Sequence, residues 1–101
     1  MAQPAEPLLL IADDEVHTTV MLERIFQREG FHVHSVHDGL AALEAAQRLL
    51  PDLILLDIMM PGMNGFDVLQ MMRENPRTMT VPTILITAKA RQPTDVAHGL
   101  N

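Results

Sequence analysis

The sequence predicts an α/β domain built on a parallel, doubly wound sheet. Two short apolar segments, residues 8–12 and 53–56, show no polar alternation, which is typical of strands that are buried on both faces. Segments with helical spacing of apolar residues separate the strands, and this alternation favours helices on both sides of a parallel sheet. Right-handed crossovers then restrict the topology to doubly wound forms. The length of 101 residues fits a single domain.

The first half of the chain predicts two strands and one helix. Residues 1–7 contain two prolines and are expected to be a disordered lead-in to the first strand at 8–12. A helix is predicted over residues 15–29, where apolar side chains recur on one face and Gly30 is a stop signal. Residues 31–36 alternate between apolar and polar side chains, which indicates a strand with one wetter face.

A second helix and a third strand follow. Asp38 is a good N-cap for a helix that runs to Leu50, because its carboxylate can accept a hydrogen bond from the first turn. Pro51 ends that helix. The apolar run over residues 53–56 is the third strand, and it ends in Asp57.

The remaining elements are a loop, a helix, a strand and the start of a last helix. Residues 61–65 combine proline, glycine and asparagine, a composition typical of loops. Residues 66–74 have a helical pattern, and residues 82–87 form a fourth apolar strand. Pro93 is placed at the first position of a last predicted helix.

Charge and composition exclude several classes of function. Seven basic and thirteen acidic residues give a net charge of −6, so this chain has no basic excess with which to bind nucleic acid. Cysteine is absent, which excludes disulfides and thiolate metal sites. No apolar run approaches the roughly 20 residues that a membrane helix needs, so no membrane contact is expected. The N-terminus has no basic region before its apolar segment and does not look like a signal peptide, so a cytoplasmic location is expected.

Acidic side chains follow two of the predicted buried strands. Asp13 and Asp14 come directly after the first strand, Asp57 ends the third, and Thr87 ends the fourth. Ligands of such sheets bind outside the carboxyl ends of the strands, so these side chains are expected to meet there. Carboxylates held that closely repel one another unless a cation lies between them, and hard oxygen ligands suit Mg²⁺. Asp57 is also a plausible nucleophile, because aspartate can form an aspartyl phosphate.

Each acidic residue also has an ordinary structural interpretation. The acids at residues 13–15 could cap a helix and complement its dipole. Asp57 could be a loop carboxylate that satisfies backbone donors. Two acid-bearing strand ends together with a threonine at a third are much harder to explain in this way, and the combined pattern favours a site.

The sequence resembles the receiver domain of two-component response regulators. Three segments carry the resemblance: LLLIADDE at residues 8–15, LILLDIMMPGMNG at 53–65 and ILITAKA at 84–90. The acidic pair combined with the D-x-x-M-P-x-x-x-G pattern is more specific than either motif alone. The resemblance implies a flavodoxin-like fold in which the strand order is 2-1-3-4 for the strands present.

The resemblance also implies roles for individual residues. Asp57 would accept a phosphoryl group from a phosphohistidine on a sensor histidine kinase or a phosphotransfer protein. Asp14, Asp57 and the backbone carbonyl of Met59 would bind Mg²⁺ directly, while Asp13 would reach the metal through water. Thr87 would hydrogen-bond a phosphoryl oxygen and report phosphorylation by moving inward. The chain would then be a signalling domain that promotes its own phosphorylation and dephosphorylation, and not a metabolic enzyme.

In this family the partner kinase docks beside the acidic site, on the first helix. The matching positions here are His17, Thr18, Met21 and Leu22. The alternative is that these residues are ordinary helix surface.

The family pattern also includes a fifth strand with a lysine at its end and a fifth helix. The only lysine here, Lys89, lies two positions after Thr87 and does not match that lysine. We therefore expect residues 8–101 to form a receiver domain that is incomplete at its C-terminal side. The fourth strand would then be an open edge, through which homo-oligomers could form.

Other functions compete with an active phosphoacceptor. A degenerate receiver-like module would bind partners without being phosphorylated. A Mg²⁺-dependent phosphatase usually has a second aspartate two residues after the nucleophile, where this chain has Met59. A flavin or nucleotide site would need a phosphate-binding loop where the acidic run 13–15 lies. His32 and His34 could share a metal on one strand face, although no third ligand is evident.

Overall fold

The computed structural model describes residues 6–87 of the 101-residue chain. The elements in chain order are β1 (Leu8–Ala12), α1 (Val16–Arg28), β2 (His32–Val36), α2 (Gly39–Leu49), β3 (Leu53–Asp57), α3 (Gly65–Glu74) and β4 (Thr83–Ile86). All neighbouring strands pair in parallel, in the order β2-β1-β3-β4. The α/β class, the parallel sheet and the strand order are therefore confirmed. The helix predicted to begin at Pro93 lies outside the described residues.

The two faces of the sheet are covered by different helices. Side chains alternate along the central strands, so each strand contributes to both faces. Leu9, Ile11 and Leu55 pack on the α1 side, together with Leu22 and Phe26. The opposite face packs against α2 and α3, and its buried members include Leu10, Ala12, Ile54, Leu56, Ala42, Ala46, Val68 and Met72. Because both faces of the sheet are covered, the sequences of β1 and β3 are apolar without polar alternation.

Side-chain caps set the start of two helices. The Asp38 carboxylate accepts a hydrogen bond from the Ala41 backbone at 2.7 Å, as the sequence predicted for α2. Asn64 and Asp67 form a reciprocal capping box at the start of α3, with distances of 3.0 and 3.1 Å. This cap places the start of α3 at Gly65, one residue before the predicted start. Helix α1 follows Glu15, which provides no side-chain cap.

The register of the sheet brings the strand ends to one edge. Ala12 of β1 pairs with Leu56 of β3, and Asp57 pairs with Ile86 of β4. The residues that follow β1, β3 and β4 therefore leave the sheet side by side. Among residues 6–87, no helix is both long and apolar enough to span a bilayer.

Candidate functional site

The first acidic segment lies between β1 and α1. Asp13 is 2 % exposed, and its backbone N–H donates to the carbonyl of Val36 at 3.1 Å. Its Oδ1 accepts a hydrogen bond from the Glu15 backbone at 2.8 Å, which fixes the turn into α1. Asp14, the next residue, is the more exposed of the two. The segment thus presents one buried and one more accessible carboxylate at the end of a central strand.

The second acidic position is the last residue of β3. Asp57 is fully buried, and its Oδ1 accepts a hydrogen bond from the Met59 backbone at 3.1 Å. The first residue of α3, Gly65, packs directly on the Asp57 backbone. A Cβ atom at Gly65 would lie 2.5 Å from the Asp57 carbonyl oxygen and 2.9 Å from the Cα of Ile58. Only glycine allows helix α3 to begin this close to the strand that carries Asp57.

The three carboxylates form one cluster. Asp13, Asp14 and Asp57 each offer a carboxylate oxygen, and these atoms lie within 4.8 Å of one another. Burial raises the pKa of the Asp57 carboxyl above its usual value of 3.8, the Met59 backbone donor lowers it, and the Asp13 carboxylate beside it raises it further. The cluster therefore concentrates negative charge around a buried group, and its all-oxygen donor set has the chemistry of an Mg²⁺ site.

Thr87 and Met59 lie at the same edge of the sheet. Thr87 directly follows Ile86, which pairs with Asp57 and whose carbonyl accepts a hydrogen bond from the Ile58 backbone at 2.8 Å. The Met59 side chain is 55 % exposed, while its backbone N–H faces the Asp57 carboxylate. The sheet thus brings these sequence-predicted residues to the edge that carries the three acids.

Helix α1, which begins after the first acidic segment, carries an open groove along one of its faces. The groove has a volume of about 340 Å³ and is lined by His17, Val20, Met21, Arg24, Ile25 and Arg28. Of the residues predicted for docking, His17 and Met21 line it, whereas Leu22 packs on the core cluster of Leu9, Ile11 and Leu55. Thr18 is half-buried and is not a lining residue of the groove. Successive steps of three, four and four residues from His17 would have pointed to Val20, Arg24 and Arg28.

The histidines of β2 lie away from the acidic cluster. His32 Nδ1 lies 3.1 Å from the Glu6 carboxylate, where both side chains are exposed. Across the described range, 6–87, three potential metal-ligating side chains come together only at Asp13, Asp14 and Asp57. Residues 6–87 therefore provide no third ligand for a metal shared by His32 and His34.

Comparison with known proteins identifies the family of this chain. Residues 9–100 match the model of the response regulator receiver domain. The chain belongs to the response regulator receiver family. It is 41% identical over 92 residues to the DNA-binding response regulator MtrA of Mycobacterium tuberculosis, covering 91% of this chain and 39% of MtrA. It is also 44% identical over 80 residues to the response regulator PleD of Caulobacter vibrioides, covering 79% of this chain and 18% of PleD.

Solved receiver structures have the same fold. The N-terminal domain of a response regulator receiver protein from Methanoculleus marisnigri JR1 superposes with a TM-score of 0.80 at 30% identity, over 93% of this chain and 76% of that one. The receiver domain of a sensor histidine kinase from Pseudomonas aeruginosa PAO1 gives a TM-score of 0.80 at 29% identity, over 88% and 73%. That structure has a magnesium ion coordinated in its active-site cleft.

Membership of the family defines the general role of the chain. It is a receiver domain of two-component response regulators, which is a signalling domain. Receiver domains bind Mg²⁺ at an acidic pocket and interact with histidine kinases or phosphotransfer proteins. The chain spans about two fifths of the length of the MtrA relatives that it matches.

Proposed function

We propose that this receiver domain accepts a phosphoryl group on Asp57 from a phosphohistidine of a sensor histidine kinase or phosphotransfer protein. One observation carries the proposal: a buried strand-end aspartate lies in a cluster of three carboxylates whose oxygens are within 4.8 Å of one another. Like charges held this closely are costly for folding unless a cation neutralises them. Its position at the carboxyl edge is where parallel sheets bind ligands.

The transfer requires one bond to form and one to break. A carboxylate oxygen of Asp57 attacks phosphorus, and the new O–P bond forms while the N–P bond to the donor imidazole breaks. The imidazole leaves with the bonding electron pair. The Met59 backbone N–H holds Asp57 Oδ1 at 3.1 Å and so fixes the orientation of the attacking carboxylate. Phosphoryl transfer depends mainly on this kind of positioning and on neutralisation of charge.

The residues of the cluster fit a bound Mg²⁺. Asp14, Asp57 and the backbone carbonyl of Met59 would hold the metal directly, and Asp13 would hold it through water. When bound, Mg²⁺ supplies charge neutralisation that lets an anionic phosphoryl group approach the acids. Thr87, next to the residue that pairs with Asp57, would donate its hydroxyl to a phosphoryl oxygen and move inward on phosphorylation.

The groove on α1 is the proposed docking surface for the phosphodonor protein. Its centre is apolar, with Val20, Met21 and Ile25, and its rim is basic. A charge at Met21, which is 54 % exposed, would disrupt contact with an apolar partner helix. We expect Met21→Glu to slow phosphotransfer from a protein donor while leaving phosphorylation by a small-molecule donor unchanged. Leu40→Glu, at a 66 % exposed position on α2, is the matched control.

The remaining features of the proposal concern location and association. We propose from the sequence that the chain works in the cytoplasm and contacts no membrane. We also propose that it contacts no nucleic acid, because its net charge of −6 opposes binding to a phosphate backbone. Within residues 6–87, β4 pairs with β3 along one edge only. The other edge of β4 is the proposed surface for homo-oligomers.

The direct test of the donor is transfer from a radiolabelled phosphohistidine protein. Label is expected to leave the donor and to appear on this chain when Mg²⁺ is present. It is expected to stay on the donor when the chain carries Asp57→Asn or when the metal is chelated. If label transfers equally well to Asp57→Asn, the acceptor is a different residue. If no histidine donor transfers label, the chain is an interaction module that is not phosphorylated.

A further inference from the structure

The geometry points to a positioning role for residues 36–39, which comprise the last residue of β2, the two-residue connection and the first residue of α2. We name this segment the 36–39 brace. We infer that this brace holds the two acid-bearing segments at the spacing that a cation requires. The inference rests on the proposed function, because it concerns the same acidic cluster. It is carried by three separate contacts, which reach Asp13, helix α1 and the loop after Asp57.

The first contact joins the brace to Asp13. The backbone N–H of Asp13 donates to the carbonyl of Val36 at 3.1 Å. This hydrogen bond continues the β1–β2 ladder one step beyond its last pair, Ala12 with Val36. The backbone of the first acidic segment is therefore fixed to the first residue of the brace, at the point where Asp13 leaves the sheet.

The second contact joins the brace to helix α1. Thr19 is 1 % exposed, and its hydroxyl donates to the Val16 carbonyl at 2.8 Å. His37 Nε2 lies 3.3 Å from the same hydroxyl oxygen. Because the single hydroxyl proton is already given to Val16, the ring nitrogen must act as the donor. His37 thus ties the brace to the first turn of the helix that follows the acidic pair.

The third contact joins the brace to the loop after Asp57. Gly39 begins α2 and is buried against Met63, the residue before the Asn64 cap of α3. A Cβ atom at Gly39 would collide with the Met63 carbonyl oxygen and would lie 2.8 Å from the Met63 Cβ. Since no side chain fits between them, α2 and this loop are in direct backbone contact.

The loop in turn is in contact with the phosphoacceptor. It contains Met59, whose N–H bonds to Asp57, and it ends at Gly65, whose N–H donates to the Ile58 carbonyl at 3.1 Å. A shift of Met63 would therefore move the segment from Met59 to Gly65 at both of its ends. This segment carries the Met59 carbonyl. Groups that orient metal ligands from outside commonly change metal affinity when they are altered. The brace thus acts on the cluster without supplying a ligand.

The test measures Mg²⁺ binding and loop motion separately. Calorimetric titration of the 101-residue chain with Mg²⁺ alone gives the Kd. Hydrogen exchange of the intact chain without metal, measured on the proteolytic fragment that covers residues 58–65, reports the opening of the loop. We expect Gly39→Ala and His37→Ala each to raise the Kd by about 10-fold. We also expect Gly39→Ala to accelerate exchange over residues 58–65. His37→Gln keeps an N–H donor and is expected to stay near the parental Kd.

Three control variants separate positioning from general stability. Leu40→Ala changes the 66 % exposed neighbour of Gly39, and His32→Ala removes an exposed histidine far from the cluster. Leu9→Val loosens the core on the α1 face of the sheet and is expected to lower the Tm. All three are expected to keep the parental Kd for Mg²⁺.

The outcomes distinguish the brace from the proposed function. If the parental chain binds Mg²⁺ and the brace variants bind it equally well, the positioning role of the brace is refuted. The proposed Mg²⁺ site is unaffected by that result. If Leu9→Val weakens binding as much as Gly39→Ala does, the effect is one of stability and the brace is again wrong. If the parental chain does not bind Mg²⁺, the proposed function is refuted, and so is the positioning role of the brace, which rests on it.

Discussion

Replacing Asp57 by asparagine removes a buried negative charge while nearly preserving the shape of the side chain. Folding raises the pKa of Asp57, mainly through burial, with the neighbouring Asp13 adding to the effect. A carboxyl whose pKa is higher in the folded than in the unfolded state binds protons more tightly when folded. Its contribution to stability therefore falls as the pH rises above about 3.8. At neutral pH, Asp57→Asn is expected to make the metal-free chain more stable.

The distances within the cluster set the size of this effect. The carboxylate oxygens lie within 4.8 Å of one another, and two unit charges at that limiting distance repel by about 3 kcal/mol at an effective dielectric constant of ~20. Asp13, which is 2 % exposed, is the neighbouring carboxylate whose charge raises the pKa of Asp57. The amide oxygen of asparagine can still accept the Met59 hydrogen bond, so little is lost. We expect a net stabilisation of about 1–3 kcal/mol, or a Tm rise of roughly 4 to 8 °C for each kcal/mol.

Thermal unfolding followed by circular dichroism, with chelator or with Mg²⁺, measures this effect. Mg²⁺ at about 100 times its Kd is expected to stabilise the parental chain by about 2.7 kcal/mol. It is expected to stabilise Asp57→Asn much less, since the variant has lost a ligand. Glu44→Gln, which neutralises an exposed acid on α2, controls for the change in net charge. The reasoning fails if Asp57→Asn is no more stable than Glu44→Gln without metal.

Four further predictions concern the pH dependence, the packing and the association of the chain. Without Mg²⁺, the stability of the parental chain measured by urea titration is expected to fall between pH 4 and neutrality, and a matching fall in Asp57→Asn would contradict this assignment. Gly65→Ala is expected to cost about 1–3 kcal/mol in urea titration, because its Cβ meets the Asp57 backbone; an unchanged midpoint would contradict that close packing. Thr78→Val is expected to cost about 1–2 kcal/mol by removing the buried 2.8 Å bond to the Met72 carbonyl, without changing Mg²⁺ affinity. Light scattering is expected to show self-association of the chain through the open edge of β4, and a monodisperse monomer would contradict it.

Much of the fold could be predicted because its signals are local. The apolar runs of β1 and β3 have no polar alternation, and this pattern directly reflects burial on both faces of the sheet. Asp38 was recognisable as a cap from its position alone, and the structure confirms the hydrogen bond. The acids at strand ends could be grouped because parallel strands end at one edge, so topology converts three sequence positions into one cluster.

The features that could not be predicted depend on packing between distant segments. Docking by Leu22 stays a prediction, and the structure adds that the rotation of α1 on the sheet packs this side chain against the core. The contact between His37 and Thr19 depends on where the chain leaves β2. The close approach of Gly39 to Met63 depends on how two helices begin beside the same loop. The contacts of His37 and Gly39 have no signature in residue spacing.

The central claim is that Asp57 accepts a phosphoryl group, and intact-mass spectrometry tests it most directly. The 101-residue chain is incubated with acetyl phosphate and Mg²⁺, and its mass is compared with that of Asp57→Asn treated in the same way. The account predicts a single phosphoryl adduct that is stable in acid, labile in base, dependent on Mg²⁺ and absent from the variant. An equal adduct on Asp57→Asn, or no adduct on a parental chain that binds Mg²⁺, would contradict the account.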